Sequence, residues 1–69
     1  MIGNMIKRLN NGNKIINNIH GYIFYYNKKG EFHRDDGPAY VYPNGKVEYW
    51  LNGVQVNSLE ELIIKNIIE

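Results

Sequence analysis

The chain has no cysteine, which excludes a disulfide framework and any thiolate metal cluster, two usual supports of a very small fold. That absence matters at 69 residues, read here as a single small domain over 1–69, because folding at this size removes only about 60% of the unfolded chain's surface from water. Stability on that scale is marginal, and assembly into a homodimer or higher oligomer is the expected compensation. An excess of one charge is also lacking. Eight basic and seven acidic residues leave a formal net charge of +1, without the basic footprint of sequence-independent nucleic-acid binding. No apolar run is long enough to span a bilayer, and the first residues, with Asn4, Lys7 and Arg8 around Ile2 and Ile6, lack the apolar stretch of a signal peptide. A soluble, cytoplasmic protein with no membrane partner is expected.

What the chain does have is glycine at regular intervals. Residues 12, 21, 30, 45 and 53 are glycine, and one short phrase recurs as Asn11-Gly12-Asn13-Lys14, Lys29-Gly30-Glu31-Phe32, Asn44-Gly45-Lys46-Val47 and Asn52-Gly53-Val54-Gln55. A polar residue before glycine with apolar residues on either side is the chemistry of a hairpin turn that needs positive φ. Leu51-Asn52-Gly53-Val54 predicts a two-residue type I′ turn. In Tyr42-Pro43-Asn44-Gly45-Lys46, Pro43 presets φ and Gly45 takes the left-handed position, which predicts a type I turn with a G1 bulge.

Between those turns, Val47, Tyr49 and Leu51 alternate with Lys46, Glu48 and Trp50, so the first set is expected to form the core face and the second a half-exposed one. Tyr22-Ile23-Phe24-Tyr25-Tyr26 is apolar on both faces and reads as a central strand. Met5 to Leu9 and Lys14 to Ile19 read as a first hairpin, with a short helix before Asn10 as the alternative. The expected architecture is mainly β with a C-terminal helix (α+β): an antiparallel β-meander over 5–56 capped by one amphipathic helix over 58–68.

The helix announces itself through Ser58-Leu59-Glu60-Glu61, a capping box in which Ser58 accepts from the Glu61 amide while Glu61 reaches back. At 100° per residue its apolar arc widens to roughly 240°, more than one sheet face covers. Leu62, Ile63, Ile64, Ile67 and Ile68, with Trp50 from the sheet, are therefore the candidate interface, because isoleucines are costly to leave in water.

His33-Arg34-Asp35-Asp36-Gly37-Pro38-Ala39 is the densest group of functional-looking residues. A hydrolase would use His33 with Asp35 or Asp36, but consecutive strand residues point to opposite faces, and no oriented partner group is evident. As metal ligands, His33, Asp35 and Asp36 lack a second imidazole nearby, His20 being the only other one. A structural turn explains the residues better. Asp36 caps backbone amides, Gly37 relieves strain before Pro38, Arg34 pairs with Asp36, and His33 is a satisfied, partly buried histidine. No catalytic residue, metal ligand or cofactor is expected. Trp50 and the six tyrosines, without a basic stripe beside them, read as cross-strand packing rather than as base-stacking groups.

The order and spacing of His33-Arg34-Asp35-Asp36-Gly37-Pro38-Ala39, Tyr42-Pro43-Asn44-Gly45-Lys46 and Tyr49-Trp50-Leu51-Asn52-Gly53 resemble MORN-like variant repeats of phages, large DNA viruses and some bacteria. The resemblance covers roughly residues 22 to 56. It implies a β-meander module without an established catalytic role, in a family treated as scaffolding or interaction repeats. The functional expectation is a non-enzymatic protein-protein interaction module, self-associating and virus-encoded, that inhibits or modulates a host factor in the host cytoplasm. A module sequestering a nucleotide or other small molecule through Arg34 and the tyrosines is the alternative.

Overall fold

The computed structural model describes residues 4–68, the side chains of Asn4, Asn66 and Ile68 excepted. Six strands, β1 (Asn4–Arg8), β2 (Lys14–Asn18), β3 (Ile23–Tyr26), β4 (Tyr40–Val41), β5 (Val47–Leu51) and β6 (Val54–Val56), precede one helix, α1 (Leu59–Ile68). The strands lie in chain order in one antiparallel sheet. The fold is thus a β-meander with a short C-terminal helix, and the N-terminal segment is a hairpin rather than a helix.

The meander repeats because its turns repeat. In each of Leu9–Asn13, Asn18–Tyr22, Asn27–Glu31 and Tyr42–Lys46, the fourth residue is a glycine at φ between 84° and 92°. Its amide donates to the carbonyl of the first residue at 3.0 to 3.1 Å, and the first amide donates to the fifth carbonyl at 2.8 to 3.0 Å. This is a type I turn closed by a G1 bulge. A side-chain oxygen completes each loop in one of two ways. Asn11 and Asn44, third in their loops, accept from the fifth amide. Asn18 and Asn27, first in theirs, each accept from both the third and the fifth amide. The β5–β6 hairpin instead turns at Asn52 (φ 48°) and Gly53 (φ 82°), a type I′ pair that matches the strand twist.

The molecule measures 43 × 29 × 15 Å, the thickness of one sheet carrying a helix over part of one face. The helix packs on β5 and β6, where Leu51, Val56 and Leu62 are buried together against Tyr49. Its first turn is held by Ser58 Oγ, which accepts from the Glu61 amide at 3.1 Å, while the Glu61 carboxylate reaches back to the Asn57 amide at 2.8 Å. The return bond lands one residue earlier than in the usual capping box, on Asn57 rather than Ser58. Among the described residues no helix is long and apolar enough to cross a membrane.

The expected division of β5 into a core face and a half-exposed face is only partly observed. Leu51 is buried under the helix, but Val47 on the same face is 37% exposed because the helix does not extend over it. On the opposite face, Trp50 sits 5.2 Å from Phe32 and continues an aromatic cluster of Tyr22, Phe24, Tyr26, Phe32, Tyr40 and Tyr42. Each face has its own apolar group, and neither is covered by a second sheet.

Candidate functional site

The segment 31–41 runs between β3 and β5 and is interrupted by an excursion at 35–38. On the near side, the His33 amide donates to the Tyr25 carbonyl at 2.9 Å and the Arg34 amide to the Trp50 carbonyl at 3.1 Å. On the far side, Tyr25 donates back to Ala39 at 2.8 Å, and Ala39 donates to Glu48 at 2.9 Å. His33 and Ala39 therefore serve the two polar groups of a single residue, Tyr25, and the residues between them bulge from the sheet. Ala39 is fully buried there, where a larger side chain has no room.

Arg34 organises the excursion. Its guanidinium lies 4.2 Å from the centre of the Tyr25 ring, and a side chain at Gly37 would begin 2.9 Å from Arg34 Cζ. The cation is held between an aromatic face and a bare backbone, which glycine alone permits. Arg34 Nε donates to Asp36 Oδ1 at 2.9 Å, and Nη1 donates to the Pro38 carbonyl at 3.4 Å. The carboxylate of Asp36 thus answers the guanidinium; the backbone caps found around it are Asn-based, not Asp36-based.

His33 is tied on both nitrogens. Nδ1 accepts from the Asn52 amide at 2.9 Å, and Nε2 lies 3.0 Å from Asp35 Oδ1. A neutral ring carrying its proton on Nε2 satisfies both contacts, which leaves no free lone pair for general-base work. Beside it, Asn27 is buried yet complete: Oδ1 accepts from the Lys29 and Glu31 amides, and Nδ2 donates to Glu31 Oε1 at 2.8 Å and to Asn52 Oδ1 at 3.2 Å. His33 and Asn27 together pin the 27–31 loop to the β5–β6 turn. Sequence reasoning passed over Asn27, whose signal is its place as first residue of a turn ending in glycine.

A shallow groove of about 420 Å³ runs beside this corner, lined by Lys14, Tyr25, His33, Arg34, Asp35 and Asp36 among others. Its lining includes two cations, Lys14 and Arg34, and two carboxylates, Asp35 and Asp36. Among the described residues no cluster of His, Asp and Glu is arranged to hold a metal ion, and no buried side-chain polar atom lacks a partner.

On the aromatic face, Glu48 accepts from Tyr42 Oη at 2.8 Å and from Trp50 Nε1 at 3.1 Å. Its hydrogen bond to Tyr42, aided by desolvation and by the nearby negative charge, pushes the Tyr42 hydroxyl from 10.0 up to about 12. Burial, with Tyr40 close by, also raises the Tyr26 hydroxyl. Lys46 covers the Tyr42 ring at 5.1 Å and Lys14 the Tyr26 ring at 5.7 Å.

The expected interface residues separate into three groups. Leu62 is fully buried in the core and is not available for contact, because it is the helix residue that points straight at Leu51 and Val56. Ile63, Ile64 and Ile67 are 46%, 57% and 76% exposed, and Leu59, not anticipated, joins them at 42%. Trp50 belongs to the aromatic face, opposite the one that carries the helix, and the Ile68 side chain lies outside the described residues. No family model matches the chain, and no curated protein or solved structure matches it.

Proposed function

We propose that the chain is a non-enzymatic protein-interaction module of MORN-like type that self-associates through an amphipathic C-terminal helix. The observation that carries this reading is the uneven use of the helix: Leu62 is buried, while Leu59, Ile63, Ile64 and Ile67 remain exposed. Leu59, Ile63 and Ile67 are spaced four apart and form one row, with Ile64 beside it. Their exposed surface is on the order of 400 Å², the size of the largest apolar patch on an ordinary monomer, which is often where such a protein makes its contacts. The ion pair of Glu61 with Lys65, at 3.5 Å, bounds the apolar row on its polar side.

A second copy of the chain is the occupant this surface favours. Leu59, Ile63, Ile64 and Ile67 are apolar, but exposed Glu60 lies among them on the helix surface. An antiparallel pairing of two helices keeps the two Glu60 carboxylates at opposite ends of the seam, and a sheet with so few fully buried apolar residues gains most from doubling its core. The two-sided engagement of His33 and the balanced charges of the adjoining groove support the absence of a catalytic role. Sedimentation equilibrium across micromolar concentrations tests the proposal: a dimer or higher oligomer is expected, and a strict monomer at high micromolar concentration would refute it.

A further inference from the structure

The sequence holds three Asn-Gly pairs, and the fold treats them differently. We propose that Asn44, and after it Asn11, are sites of spontaneous intramolecular deamidation in the folded protein, whereas Asn52 is protected. In this reaction the glycine nitrogen attacks Cγ of the preceding asparagine. A new N–Cγ bond forms, the bond from Cγ to Nδ2 breaks, and ammonia leaves with the proton shed by the glycine nitrogen, giving a succinimide. Water then adds to either imide carbonyl and opens the ring to aspartate or isoaspartate. The sum is asparagine plus water giving acid plus ammonia, with no other reactant.

Two features of the loops favour that step at Asn44 and Asn11. Asn44 Oδ1 accepts from the Lys46 amide at 2.9 Å, and Asn11 Oδ1 accepts from the Asn13 amide at 2.9 Å. Each bond closes a ring around the intervening glycine, which keeps the electrophilic carbon beside the nitrogen that must attack it. The same backbone N–H rests on the oxygen that gains negative charge during attack. At Asn52 the side chain is drawn elsewhere: its Oδ1 takes a hydrogen bond from Asn27 Nδ2, and its own amide is bound to His33 Nδ1. The glycine amides do not discriminate, since all three are donated to carbonyls at 2.9 to 3.0 Å.

Crowding sets the order of the two reactive sites. Nothing lies within 4 Å of the space a side chain would take at Gly45, whereas Lys28 Cβ stands 3.0 Å from that space at Gly12. The backbone rotation at the glycine that accompanies ring closure is therefore less hindered after Asn44 than after Asn11, where Lys28 of the neighbouring loop stands close. Conversion at Asn44 adds a negative charge beside Lys46, and the isoaspartate form lengthens the backbone inside the turn that pairs Tyr42 with Lys46.

The test is to incubate the full chain in mildly alkaline buffer, folded and in urea, and to follow each Asn-Gly pair by peptide mass spectrometry with isoaspartate assignment. In the folded protein Asn44 should react fastest, Asn11 next, and both about tenfold or more faster than Asn52; in urea the three rates should converge. Lys46→Pro, which removes the N–H from Asn44 Oδ1, should slow Asn44 while Asn11 serves as the internal standard. If that variant unfolds, Asn52 will react as fast as Asn11, and the wild-type ranking then decides alone. Equal folded-state rates at the three sites, or Asn52 reacting first, would overturn the proposal. So would Asn44 and Asn11 remaining intact while the urea-treated chain reacts.

Discussion

Arg34 and Tyr25 meet as cation on ring at 4.2 Å, and Gly37 closes the other side of the guanidinium without a side chain. Gly37→Ala would set Cβ 2.9 Å from Arg34 Cζ, forcing the arginine off the ring or the excursion out of shape. Because the atoms displaced are the far end of the Arg34 side chain, the loss expected is that of the stack, about 1 kcal/mol, read from urea midpoints at unchanged slope. Arg34→Lys, which keeps the charge but loses the planar stack and fork, should cost about 1 kcal/mol. Full stability in Gly37→Ala would show that the corner does not depend on this sandwich.

Asn27 joins two loops 25 positions apart. Asn27→Ala leaves the Lys29 and Glu31 amides without their side-chain acceptor and should destabilise by about 1–3 kcal/mol. Asn52→Gly keeps the left-handed turn while deleting the Asn27 contact, and should cost no more than about 1 kcal/mol. Equal losses in the two variants would place the energy in the inter-loop bond rather than in the local turn.

Tyr42 supplies a pH dependence with a definite sign. Its hydroxyl is raised in the folded state to about 12 from 10.0, so the neutral, hydrogen-bonded form favours folding. The contribution is fully present below pH 10 and is lost as pH rises through about 12. Ultraviolet titration of phenolate should show Tyr42 as the latest tyrosine to ionise, and Glu48→Gln should return it toward the ordinary range. A wild-type chain in which Tyr42 ionises no later than the other tyrosines would contradict the Glu48 bond.

Leu62 and Ile64 are near neighbours in sequence with opposite expected phenotypes. Leu62→Ala opens the small core and should cost about 2–5 kcal/mol, enough to unfold much of a chain with a marginal reserve. Ile64→Glu should leave the circular dichroism and thermal midpoint of the monomer intact while shifting sedimentation toward the monomer. An Ile64→Glu chain that assembles like wild type would remove the helix from the interface.

The meander was legible because its signals are local. Asn-Gly and Pro-Asn-Gly specify turns within a few residues, and Ser58 with Glu61 marks the helix start. The Asn18–Tyr22 turn was harder to see, since Asn18 stands three residues before Gly21 and works through the loop's first position instead of its third. The pairing of Arg34 with Asp36 could be read from adjacency, but the Tyr25 ring beneath Arg34 could not, because only strand register brings it there. Leu62 could not be separated from the isoleucines for a similar reason. An apolar arc that wide does not say which of its edges meets the sheet.

The order of strands in the sheet is the order of strands in the chain, and that bears on kinetics. Every strand pairing along the first four loops and the β5–β6 turn closes over a short span, so little loop entropy is spent before a contact is made. Individual hairpins of this kind form in about 1–10 μs. The slower events should be those that join distant positions: pairing β4 with β3, seating the 32–34 segment against β5 and docking the 27–31 loop on Asn52. A chain so built acquires its sheet piecemeal and its cooperativity late, at the His33 and Asn27 ties.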